Sequence, residues 1–154
     1  MAEKTGDIVS NDERVARVIF SPSYIYKGKV APTAFRWETL PSGAVEDFIS
    51  VLRCQSEEAI NEQTKSFRPR TEGDSRYGYT VLGVDKIRNI KNHPALGNRA
   101  NTDVLPFLSK RLANHAGIVV DLDEKRVAAK MQLTPEIMFI QKMLAAICSD
   151  IRKF

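Results

Sequence analysis

RVARVIFSPSYIYKGKVAPTAFRWETLPSGAVEDFISVLR, residues 14–53, decides the fold. Its β-branched and aromatic residues gather in short runs, and turn formers separate one run from the next. RVARVIF (14–20) sets Val15, Val18 and Phe20 among Arg14, Ala16 and Arg17 and predicts a first strand, ended by Ser21-Pro22. Lys27-Gly28-Lys29 is a turn signal and Pro32 a breaker, after which Ala34-Phe35 opens a second predicted strand running through Trp37. Pro41-Ser42-Gly43 turns the chain again, and DFISVLR (47–53) makes the third. Strand, turn, strand, turn, strand predicts an antiparallel meander.

Downstream, the period changes. Ser56 is placed as an N-cap before EEAINEQTKSF, with Glu57 and Glu58 in the first turn, which predicts a polar surface helix. RPRTEGDSR (68–76) has loop chemistry. YGYTVLGVDKIRNI (77–90) predicts a strand followed by a short helical turn capped by Asp85. KNHPALGNRANTD (91–103) predicts a long loop, and VLPFLSKRL (104–112) is ambiguous. GIVV (117–120) and RVAAKMQL (126–133) flank Asp-Leu-Asp-Glu-Lys as a predicted hairpin. In TPEIMFIQKMLAAICSDIRKF (134–154), Thr134 as N-cap and Pro135 at N1 start a helix. Its stripe, Ile137, Ile140, Leu144, Ile147 and Ile151, runs at spacings of 3, 4, 3, 4 and predicts about four or five turns packed on the sheet. The fold class expected is α+β: a mainly antiparallel sheet of five or six strands, one surface helix and a long C-terminal amphipathic helix. Residues 1–13 are expected as a flexible polar leader and 14–154 as a single domain.

A chain of 154 residues with 43% apolar and 27% charged residues suits one domain with a real core. No apolar run reaches the roughly 18–20 residues of a membrane span. The polar, acid-bearing N-terminus is unlike a secretory signal, so a cytoplasmic location is expected. Cys54 and Cys148 stand alone, without zinc-ligand spacing, and are expected as reduced small hydrophobes. The net charge of +4 is uneven: residues 1–77 hold 11 Lys/Arg against 12 Asp/Glu, and residues 78–154 hold 12 against 7. That excess permits an anionic partner without the dense basic clusters of a dedicated nucleic-acid binder.

RLANHAGIVVDLDEKR (111–126) raises a catalytic possibility. If residues 115–121 are extended, His115 and Asp121 share a strand face but lie roughly 20 Å apart, too far to be partners. Asp121 and Asp123 fit a hairpin turn better than a metal site, and no carboxylate cluster accompanies them. His115 is either a turn residue with one backbone hydrogen bond or a general base poised near neutral pH. His93, before Pro94, is expected to be exposed. No GxGxxG, GxxxxGK[ST] or GxSxG occurs, so ordinary dinucleotide, P-loop and hydrolase-elbow readings lack support. No cofactor and no metal site is expected. Arg68, Arg70, Arg76, Arg88, Lys91, Arg99, Lys110 and Arg111 crowd the loops beside Tyr77 and Tyr79, as a phosphate-holding and base-stacking surface would. The alternative is that they pair with Glu72, Asp74 and Asp103.

The order R-V-I-F-S-P (17–22), T-A-F (33–35), I-S-V (49–51) and N-H-A-G-I-V (114–119) resembles a loose group of uncharacterised small bacterial proteins. The resemblance implies a bacterial origin and carries no activity across.

Three readings of function follow. The first is an accessory or interaction module that binds another macromolecule, most simply a protein of the same multi-component system. The second is a nucleic-acid-binding domain using the basic loops. The third is an enzyme acting on a nucleotide or phosphorylated substrate through His115 and Arg17, with Ser21 and Ser50 as further candidates. It requires those side chains to share a sheet face.

Overall fold

The structure, a computed structural model, describes residues 7–36, 48–53, 56–69, 71–97, 100–107, 114–122 and 134–154. Its strands are β1 (Arg14–Ser21), β2 (Ile25–Tyr26), β3 (Lys29–Val30), β4 (Ile49–Arg53), β5 (Ser75–Gly83), β6 (Ala100–Pro106), β7 (His115–Leu122) and β8 (Arg152–Lys153). Its α-helices are α1 (Glu57–Thr64), α2 (Val84–Asn89) and α3 (Pro135–Ala146). Six strands form one antiparallel sheet in the order β6-β7-β4-β1-β5-β8, and β2 pairs with β3 in a separate hairpin. The α+β class expected from the periodicities is the class observed.

The connectivity differs from a meander. The first strand lies between β4 and β5, and the described strands that follow it, β2 and β3, lie outside the main sheet. There, Lys27 (φ 50°) and Gly28 (φ 77°) make the two-residue turn joining β2 to β3, with the positive angles that a twisted hairpin favours. Ala34-Phe35, expected in a strand, belongs to a 3-10 turn over Pro32–Phe35. Proline at the first helical position fixes φ and needs no N–H partner there, which outweighs the strand preference of one phenylalanine. The expected continuation at Trp37 lies outside the described residues.

The starts of α1 and α3 are where the sequence indicates, and four other expectations are corrected. Ser56 caps α1 by accepting from the Ala59 N–H, and Thr134 caps α3 by accepting from the Ile137 N–H. The cap of α2 is Gly83, with Asp85 inside the first turn. The expected loop over 91–103 is shorter, since 3-10 turns cover Ile90–Asn92 and Pro94–Leu96 and β6 begins at Ala100. Asp121 lies within β7, opposite Asn101, rather than in a turn. Asp123 and the second arm of the expected hairpin lie outside the described residues. Helix α3 ends at Ala146, so Ile147 caps it and Ile151 follows in the chain leading to β8.

Strand alternation gives the sheet two faces. One bears Val15, Ile19, Ile49, Val51, Ile118 and Val120, which join Ile137, Ile140 and Leu144 of α3, Phe35, and Val84 and Ile87 of α2 in the main core. The other face carries a smaller cluster of Ala16, Tyr79 and Ile60 beneath α1. Residues 7–13, expected as part of a loose leader, are tied into the domain. Arg53, only 3% exposed, donates to the carbonyls of Asp7 (2.7 Å) and Ile8 (3.2 Å) and pairs with Glu13 at 2.7 Å. No helix among the described residues is long and apolar enough to cross a membrane.

Candidate functional site

The register of β4 and β7 positions the chemistry. Ser50 stands opposite Gly117 and Leu52 opposite His115, so Ser50 and His115 are diagonal neighbours on one face. The Arg53 N–H donates to the Asn114 carbonyl, which makes the Ser50–Gly117 and Leu52–His115 pairs the non-hydrogen-bonded ones, where side chains approach most closely. There the Ser50 hydroxyl and His115 Nε2 meet at 2.7 Å. Burial pushes the His115 imidazole below its ordinary value of 6.5, and the Phe107 carbonyl pulls weakly the other way. The ring is therefore neutral at pH 7, and in its Nδ1–H tautomer Nε2 accepts from the serine hydroxyl.

Aromatic rings frame this pair. Phe48 and Phe107 stack at 4.0 Å and 17°, and Phe48 meets the His115 ring edge-on at 5.6 Å. The stack lies directly over Gly117, where an added Cβ would sit 2.6 Å from Phe107 and 2.7 Å from Phe48. Glycine is there for close approach, not for backbone freedom. Ser50, His115, Phe48 and Phe107 are each half-buried, so the cluster has an open side.

Of the four candidates grouped as an enzyme site, two meet. Arg17 projects with Val15 and Ile19 from the opposite face, because Ala16 pairs with Leu52 and so fixes the phase. The β1–β4 ladder has only the pairs Val15–Arg53 and Ala16–Leu52, and beyond it Arg17 Nη1 donates to the Ser50 carbonyl (2.8 Å) while Nε donates to the Ala34 carbonyl (3.0 Å). Its observed bonds join strand to turn. Ser21 sits at the far end of β1, opposite Ser75 of β5. Arg17 and His115 therefore project from opposite faces of the sheet.

The basic loop residues separate similarly. Arg76 donates to the Asn61 carbonyl and side chain and to the Thr64 hydroxyl, and lies 3.6 Å over the Phe154 ring. Arg88 pairs with Asp103 at 2.7 Å and also holds Asn11 and the carbonyls of Val9 and Val104. Arg68 is described near the Ser66 carbonyl, and Lys91 is half-buried with its N–H on the Thr102 hydroxyl. Arg70, Arg99, Lys110 and Arg111 lie outside the described residues. Asp74 serves Ser23 rather than an arginine. His93 is exposed, and its ring caps the turn at Ala95. The Cys148 thiol donates to the Leu144 carbonyl, and burial pushes its pKa up to about 12, which makes it unreactive at neutral pH. The described residues contain no cluster of three or more His, Cys, Asp or Glu arranged to hold a metal ion.

Sequence reading did not single out Phe48, Phe107, Gly117 or Tyr26. The first two look like ordinary core residues at strand ends, and the glycine looks like a turn residue. Tyr26 carried a usable signal, an aromatic side chain at the tip of a Lys-Gly-Lys hairpin. Comparison with protein-family models, with curated proteins and with solved structures finds no match to this chain.

Proposed function

We propose that the protein is an accessory module that binds another protein of the same multi-component system, with the β2–β3 hairpin as its contact. One observation carries the reading: Tyr26 is 64% exposed at the tip of a firmly based hairpin. Behind it, Tyr24 and Ala31 are buried, the Ala31 N–H donates to the Tyr24 carbonyl at 2.8 Å, and the Thr33 hydroxyl donates to the Ser23 carbonyl at 2.6 Å. Tyrosine is enriched among interface hot spots, and holding it on a preorganised turn lowers the ordering cost of binding. Lys27, 5.3 Å over the Tyr26 ring, and Lys29, at the solvent-exposed edge of an ion pair with Asp150 at 3.9 Å, favour an acidic partner surface. The nucleic-acid reading is weaker, because Arg76 and Arg88 are engaged within the fold.

A photo-crosslinking amino acid at position 26 tests this in the source cell. The expected result is one defined protein adduct at position 26 and none at Lys142, an exposed control on α3. Lys27→Glu with Lys29→Glu should remove the adduct. No adduct, or the same adducts at both positions, overturns the reading.

A further inference from the structure

We propose that Ser50 is a nucleophile served by His115, and that the site takes a small uncharged ester whose apolar part lies against the Phe48–Phe107 stack. This goes beyond the accessory reading and does not depend on it. Three observations carry it. The serine hydroxyl and His115 Nε2 stand 2.7 Å apart, within reach for direct proton transfer. Both side chains rise from adjacent paired strands, so their separation is set by sheet register rather than by loop conformation. The third is the surroundings: the stacked rings over Gly117 form a flat apolar wall beside the hydroxyl.

The substrate class follows from those surroundings. Arg17, which donates to the Ser50 carbonyl, projects from the opposite face, and among the described residues the face around the pair carries two phenylalanine rings, a glycine and Leu52. An uncharged acyl group fits such walls better than a phosphate, which needs charge-assisted donors. Burial keeps the imidazole neutral before reaction and therefore able to accept a proton.

In the first step Ser50 Oγ bonds to the carbonyl carbon and its proton passes to His115 Nε2. The ester C–O bond then breaks, and the leaving oxygen takes that proton and departs as an alcohol. Water attacks the acyl-Ser50, again losing a proton to Nε2. That proton returns to Ser50 Oγ as the carboxylic acid leaves, so no oxidant or further reactant is needed.

An alkyl fluorophosphonate tests the proposal on the whole folded chain, with the labelled residue located by peptide mass spectrometry. Labelling should fall on Ser50, be lost in Ser50→Ala, and slow by about 100-fold or more in His115→Gln, which replaces the imidazole with a group that is not basic. In the unsubstituted protein the rate should rise as the imidazole loses its proton below the usual histidine range and be level above pH 7. Ser50 labelling no greater than in urea-unfolded chain overturns the proposal. So does unchanged labelling in a folded His115→Gln chain, or a rate that keeps climbing from pH 7 to 9.

Discussion

Gly117 shows how one missing carbon shapes the site. The rings of Phe48 and Phe107 occupy the space that a Cβ would take, at 2.6–2.8 Å, and each is held by the other. Gly117→Ala should therefore destabilise the domain by about 1–3 kcal/mol through overpacking, despite alanine's smaller backbone entropy loss on folding. Urea unfolding would measure it, and a midpoint equal to or above that of the parent protein would refute the close-packing account. Sequence reading placed Gly117 beside His115 but gave it no such role. His115 stayed open, since its partner Ser50 lies 65 residues earlier. Period-two logic assigns faces within a strand, but not the phase of one strand against another. That is why Arg17 was grouped with residues on the opposite face.

At the scale of elements, β6 is the longer of the two edge strands among the described residues, and an edge strand is where another chain could pair. The Phe107 N–H donates to the His115 carbonyl, so odd-numbered residues of this segment face β7 and even-numbered ones face outward. The outward Val104 N–H is taken by the Asp103 carboxylate (2.7 Å), its carbonyl by Arg88 (3.0 Å), and Pro106 has no N–H to offer. The same guanidinium ties down Val9 and Asn11, so Arg88 both blunts the edge and fastens the N-terminal segment. Arg88→Ala should cost about 2 kcal/mol or more and increase self-association, and Arg88→Lys should rescue it poorly, since a single ammonium cannot reproduce a planar fork. Denaturation together with sedimentation velocity would check this, and a monomer of unchanged stability would refute it. In the sequence Arg88 reads as a loop cation, because its partners Asn11 and Asp103 lie 77 and 15 residues away. The start of α3 was legible, because Thr134-Pro135 acts locally. Its end was not, since the apolar stripe continues through Ile147 and Ile151 after helical hydrogen bonding stops.

For the whole molecule, class was legible and topology was not: periodicity counts strands and helices, whereas the order β6-β7-β4-β1-β5-β8 depends on contacts between distant segments. Two such contacts give the domain a two-step acid response. The His115 imidazole is held below 6.5 by burial, so below that pH the unfolded chain binds the extra proton more readily. Stability is full above about 6.5 and declines as the pH falls through that value toward the depressed folded one. Glu13 is held down to about 2 from 4.5, chiefly by hydrogen bonds from Arg53, so its contribution is full above about 4.5 and is lost as pH falls toward 2. At 1.4 kcal/mol per pH unit the second loss is at most about 3.5 kcal/mol, and nearer 2 after screening by water at the open rim of the pair. Protonating Glu13 also removes one charged partner of Arg53, 3% exposed, which loosens the segment at Asp7 and Ile8. His115→Gln should flatten the profile between pH 7 and 5 while keeping the lower step. Glu13→Gln should remove the lower step and lower stability at neutral pH. Urea midpoints measured from pH 8 to pH 3 separate the two groups. A parent profile flat from pH 7 to 5 would refute the burial of a neutral imidazole, and a lower step persisting in Glu13→Gln would refute the anchoring role of the Glu13–Arg53 pair.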